Sequence, residues 1–166
     1  MLAWGIILGT IPVGIVGLLF RESIELNLRS YQVVAFATMF FGLLLGFSDW
    51  LNRKFQKSRE YIRGSDILIV GCFQALALIP GTSRSGITIT AALLIGLSRT
   101  LSIKYAFLLS IPVIALATLL KTFDLVKDTS QVDWSLLFIG FVVTLITSYF
   151  TIVFFIRLVE RLSLIY

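Results

Sequence analysis

The sequence predicts an all-α integral membrane protein, built of transmembrane helices plus a re-entrant helix-loop-helix. Three observations carry this. The 166 residues are 58% hydrophobic, against about 45–50% in soluble domains, and the mean hydropathy is +0.98. The apolar residues fall in long uncharged runs. Short polar linkers such as "RESIELNLRS" and "NRKFQKSREYIRGSD" separate those runs, leaving one membrane domain over residues 1–166 and no soluble one.

The first run, Leu2–Phe20, lacks a basic leader and a small-x-small cleavage site, so it reads as a transmembrane helix rather than a cleavable signal. Further spans are expected at about Tyr31–Leu51, Ile103–Leu120 and Trp134–Ile156, each near the ~20 residues that a bilayer core requires. Trp4, Tyr31, Trp50, Tyr105 and Trp134 lie near the ends of these runs, where aromatic belts form. "TIPVGIVGLL" and "SIPVIALATLL" echo one another and read as two proline-kinked helices.

The segment Ile67–Leu97 differs. It is apolar but broken by Pro80, Gly81 and Gly86, and each half is too short to cross alone. A break at membrane depth needs protein or water to satisfy its backbone. A re-entrant hairpin over about 65–98, entering and leaving on one side, meets that need.

The charges support it. With a re-entrant hairpin, nine cations (Arg53, Lys54, Lys57, Arg59, Arg63, Arg99, Lys104, Arg157 and Arg161) share one side, against four (Arg21, Arg29, Lys121 and Lys127) on the other. A full crossing would leave seven against six. Basic residues gather on the cytoplasmic side, so both ends of these residues are expected inside. "NRKFQKSREYIR" is then a cytoplasmic linker near anionic headgroups.

The break carries the chemistry. In "LIPGTSRSGITIT", Pro80 ends the incoming half-helix. Gly81 and Gly86 permit close approach and unusual backbone angles. Thr82, Ser83 and Ser85 supply hydroxyls, and the N-cap of the outgoing half-helix is expected at Ser85 or Gly86. That helix end attracts anions. Arg84 adds a planar fork of donors suited to phosphate. An intramembrane charge points to function. The only acidic residue within a predicted apolar span is Asp49, near a cytoplasmic edge. A phosphate or diphosphate site centred on Arg84 is the expectation.

Other residues bound the chemistry. The sequence has no histidine, which excludes His-ligated metals and Ser-His-Asp triads within it. Its single cysteine, Cys72, is expected to be a small buried hydrophobe. Gln74, on the incoming half-helix, either lines the cavity or makes a polar helix contact. Arg99 reads as a cytoplasmic surface anchor. No nucleic-acid-binding pattern is visible.

"GCFQALALIPGTSRSGITITAALLIGLSR", followed by "AFLLSIPVI", closely resembles the second signature region of bacterial undecaprenyl-diphosphate phosphatases, the membrane enzymes associated with bacitracin resistance. The similarity runs from "ILGTIPVGIVGLLF" to the last residues. It implies hydrolysis of undecaprenyl diphosphate to recycle the lipid carrier of wall polymers, in the bacterial plasma membrane, at a site facing outward. It also implies a fold of two inverted halves.

Carried over residue by residue, the resemblance makes Arg84 the diphosphate-binding arginine, with Ser83 and Ser85 flanking it. Gly81, Thr82 and Gly86 complete the loop. Arg84 and Ser83 are the catalytic candidates, Ser83 as a donor. Gly81, Thr82, Ser85, Gly86 and Gln74 are the substrate-binding ones. The resemblance implies a magnesium or calcium ion bridging phosphate oxygens. The family's glutamate-rich helix and histidine loop have no counterpart in this sequence. These residues therefore correspond to the later part of such an enzyme, and no metal ligand is identifiable. The partners implied are a polyprenyl diphosphate lipid, the phospholipid bilayer, and either a second copy or an N-terminal half. A lipid-phosphate transporter would use the same broken-helix device, and a diphosphate-lipid-binding remnant without catalysis is the third reading.

Overall fold

The computed structural model describes residues 2–20, 24, 28–55, 58–127 and 133–163. Arg21 and Lys57 of the charge count lie outside them. The described residues include α1 (Leu2–Leu19), α2 (Tyr31–Phe55), α3 (Gly64–Ala75), α4 (Arg84–Leu94), α5 (Arg99–Lys127) and α6 (Trp134–Ser163), with a 3-10 turn at Leu76–Leu78 after α3. Among them there is no strand, only an isolated bridge between Arg59 and Leu97.

Stretches of α2, α5 and α6 are long and apolar enough to cross a bilayer: Tyr31–Phe55, Arg99–Leu125 and Trp134–Leu158. This is a membrane protein. Within α1, Trp4–Leu19 counts among the shorter apolar helices; the 18 residues of α1 lie at the low end of the roughly 17–25 that spanning helices use.

The chain forms two compact units, Met1–Leu119 and Leu120–Tyr166. The first holds α1 to α4 and most of α5; the second holds the end of α5 and α6. The core of the first unit is Val70, Ala91, Ala92, Leu97, Tyr105 and Leu109, contributed by α3, α4, the turn after α4, and α5. Phe36, Met39, Phe40, Leu43 and Phe47 of α2 stay exposed. A stripe of large apolar side chains is a surface for lipid rather than water. Cys72 is also exposed, not buried as expected, because an apolar face of α3 turns outward.

α1 and α3 run parallel with their backbones touching. A Cβ built on Gly71 would sit 2.6 Å from the Gly9 carbonyl oxygen, and one on Gly5 would sit 2.6 Å from Ile67. Small residues spaced by four allow this approach. Pro12 lies inside α1 and Pro112 inside α5. Two residues before each proline a hydroxyl donates to a carbonyl of its own helix, Thr10 to Ile6 at 2.8 Å and Ser110 to Phe107 at 2.7 Å.

α3 and α4 form a short antiparallel hairpin whose two feet are tied together. The Arg59 guanidinium donates to both Asp66 carboxylate oxygens, at 3.1 and 3.3 Å, and to the Ile95 carbonyl at 2.8 Å. Asp66 stands in the first turn of α3 and also accepts the Arg63 amide at 2.8 Å. Ile95 follows the last residue of α4. One arginine thus holds the start of α3 against the end of α4.

Candidate functional site

The tip of the hairpin, residues 79–86, brings the loop candidates together. The Thr82 amide donates to the Ile79 carbonyl at 3.1 Å, closing a turn over Pro80 and Gly81. Gly81 has φ +94°, where an L side chain is strained. A Cβ there would also strike the backbone of α2, with the Val34 carbonyl oxygen nearest and its Cα at 2.9 Å.

The N-cap of α4 is Ser83, two or three residues earlier than expected. Its backbone is extended, and its Oγ accepts the Gly86 amide at 3.2 Å. The reason is reach: a serine hydroxyl caps the amide three residues on. That makes Arg84 the first helical residue. Gly86 carries no left-handed angle. A Cβ on it would lie 3.0 Å from the Ser83 Cβ, so glycine leaves room for the cap.

The donors at this end point outward from the helix. Ile87 bonds back to the Ser83 carbonyl at 2.9 Å and Gly86 to its side chain. Among the described residues, no acceptor lies against the amides of Arg84 and Ser85. Arg84 is half-buried, and no described carboxylate stands within ion-pair distance of it. A half-buried guanidinium on the first residue of α4 and the free amides of that helix N-terminus are groups that stabilise an anion.

Other candidates divide. Thr82 is buried with its Oγ1 unpartnered. Ser83 is exposed and Ser85 half-buried. Gln74 is fully buried, one to two turns before the tip, and neither side-chain amide atom has a partner. Burying an amide unpaired is costly, and the polar helix contact expected as one alternative for Gln74 is not made among the described residues. Arg99 is more than a surface anchor. Its Nε lies 3.2 Å from Asp49 Oδ1, and Arg53 approaches the same carboxylate at 3.0 Å. The start of α5 is thereby tied to the end of α2.

Sequence reasoning missed two residues. Thr38 on α2 places its hydroxyl 3.0 Å from the Gly81 carbonyl; its only signal was a threonine inside the apolar run "FATMFF". Asn52 donates to the Leu93 and Leu97 carbonyls at 3.0 and 3.1 Å; nothing in the sequence pairs residues so far apart.

The loop does not suit a divalent cation. It carries a guanidinium and neutral hydroxyls but no carboxylate, whereas magnesium and calcium sites are built mainly on carboxylate oxygens. Among the described residues, no group of three or more His, Cys, Asp or Glu could hold a metal. Beside the tip runs an apolar groove of about 530 Å³ with Val16 and Phe20 on one wall and Leu76, Leu78 and Ile79 on the other.

Known proteins match throughout. The family described as bacitracin resistance protein BacA matches residues 1–166. The chain is similar to the undecaprenyl-diphosphatase of Ruthia magnifica subsp. Calyptogena magnifica, at 55% identity over 98% of this chain and 61% of that protein. It is similar to that of Vesicomyosocius okutanii subsp. Calyptogena okutanii, at 52% over 98% and 62%. It is also similar to undecaprenyl-diphosphatase 2 of Stutzerimonas stutzeri, at 52% over 99% and 62%. The chain spans about three-fifths of the length of these relatives. With the family matched from the first residue to the last, the chain belongs to the bacitracin resistance protein BacA family.

Proposed function

We propose that the hairpin tip is the diphosphate-holding part of an undecaprenyl-diphosphatase, which hydrolyses undecaprenyl diphosphate to undecaprenyl phosphate and phosphate. The observation that carries this is Arg84, a half-buried guanidinium at a helix N-terminus with no described carboxylate to neutralise it. The names of the relatives supply the lipid and the reaction. The product is the lipid carrier of wall polymers, and removing the diphosphate form counters bacitracin. The membrane is the bacterial plasma membrane, with the hairpin re-entrant and its tip facing outward.

In hydrolysis, a water oxygen bonds to the terminal phosphorus and the bridging oxygen leaves with the prenyl phosphate. Phosphoryl transfer is accelerated mainly by positioning and electrostatics. Arg84 would clamp the phosphate oxygens and balance the charge that grows on the bridge. The free amides of Arg84 and Ser85 would add fixed donors. Ser83 uses a lone pair for the Gly86 amide, which leaves its O–H to donate to the same oxygens. The apolar groove lined by Phe20, Leu78 and Ile79 would take the first part of the prenyl tail. The magnesium or calcium ion implied by family resemblance would supply charge neutralisation from ligands other than this loop.

The test is phosphate release from a prenyl diphosphate by the purified chain in detergent, with magnesium and with a chelator, for wild type and Arg84→Ala. Release abolished by Arg84→Ala is expected. Release indifferent to Arg84 would remove the assignment. Binding without release would leave a diphosphate-lipid transporter or a non-catalytic binder.

A further inference from the structure

We propose that Thr38, on α2, is a positioning residue for this site: it holds the Gly81 peptide and thereby aims Arg84. The proposal rests on the reading of the tip as a diphosphate site. The hydroxyl of Thr38 lies 2.8 Å from the Val34 carbonyl of its own helix and 3.0 Å from the Gly81 carbonyl. One proton is shared between them, as a threonine in a helix readily allows. Among the described residues this is the only hydrogen bond from 79–83 to a helix outside the hairpin.

The fit around it is tight. Gly81 sits at φ +94° with the Val34 backbone against its Cα face, and a Cβ there would stand 3.0 Å from Thr38 Oγ1. The turn is closed by Thr82 on Ile79, and Ser83 caps α4 immediately after. The orientation of the Gly81–Thr82 peptide therefore sets where the cap, and with it Arg84, begins. Without the α2 tether, the tip can rock against α2, and its own bonds, Thr82 to Ile79 and Gly86 to Ser83, open more often. A displacement of about 1 Å is enough to degrade a catalytic geometry. Thr38 is exposed, so changing it removes no core packing.

The experiment uses the full chain in detergent with farnesyl diphosphate as probe. Thr38→Val keeps shape but removes the donor; Thr38→Ser keeps the donor. Binding is measured by calorimetry, and amide hydrogen exchange is followed at Thr82 and Gly86, whose amides are bonded within the tip. One net hydrogen bond corresponds to about three- to tenfold in affinity. We expect Thr38→Val to weaken binding by that factor, to speed exchange at Thr82 and Gly86 and not in the rest of α3 and α4, and to be rescued by Thr38→Ser. Unchanged exchange in Thr38→Val, or equal loss in both variants, would overturn the proposal. If wild type fails to bind farnesyl diphosphate, the diphosphate reading falls, and the exchange comparison still decides whether Thr38 holds the loop.

Discussion

The two ends of α4 are built on opposite principles. At its C-terminus every device that seals a helix is in use. Gly96, at φ +83°, lets the Leu97 amide reach Ala92 and its own amide reach Leu93, each at 3.0 Å, which is a Schellman motif. Asn52 adds donors to Leu93 and Leu97, and Arg59 to Ile95. At the N-terminus a single serine caps a single amide, and Arg84 is left without a described carboxylate. A sealed end anchors; an open end with unspent donors is ready to bind. The contrast supports the proposal that the N-terminal end of α4 is the one that binds, without reference to any relative.

Changes at the two ends should separate binding from stability. The largest effect is expected at the open end. Arg84→Gln should lower prenyl diphosphate affinity by about 100-fold or more, as loss of a charge-assisted pair does. It should leave the melting temperature of the ligand-free protein at or above wild type, since the lost charge had no described partner. A thermal shift assay with and without ligand reads both. Next comes the sealed end. Arg59→Ala strands Asp66, which is nearly buried, and should cost about 3 kcal/mol with the feet of the hairpin opening; exchange at Asp66 and Ile95 would show it. Asn52→Ala leaves two carbonyls short of a donor and should cost about 2 kcal/mol, seen as a lower denaturation midpoint with ligand affinity little changed. The smallest is Ser83→Ala, about 1 kcal/mol for a lost cap, with binding weakened as well. A Ser83 variant that loses stability but binds normally would reduce the open end to a cap and nothing more.

How far these features were legible depended on the range of the interaction. Pro80 and Gly81 announced the break because both act on their own backbone. Gly96 ends α4 in the run "LLIGL" for the same local reason. The cap was misplaced because three hydroxyls, Thr82, Ser83 and Ser85, stood within reach, and only the extended backbone of Ser83 selects among them. Of the two roles expected of Gly86, close approach holds, as space for the cap, and a rare angle does not. The ion pairs of Arg59 and Arg99 were invisible, since the charge pattern gives sidedness but not partners. Thr38 and Gln74 show the same limit. A polar residue in an apolar helix signals that something is needed there, while its partner is set by packing alone.

The contact between Gly9 and Gly71 has a mechanical consequence. Neither helix carries a side chain at the point where their backbones meet, so the contact tolerates one alignment. Sliding the hairpin forward along α1 by one turn, about 5.4 Å, would bring the branched side chain of Val13 against the Gly71 backbone. Sliding it back would take Ile67 away from the space that Gly5 leaves for it. α1 therefore works as a depth gauge: it sets how far the hairpin reaches, and so the level at which Arg84 is presented.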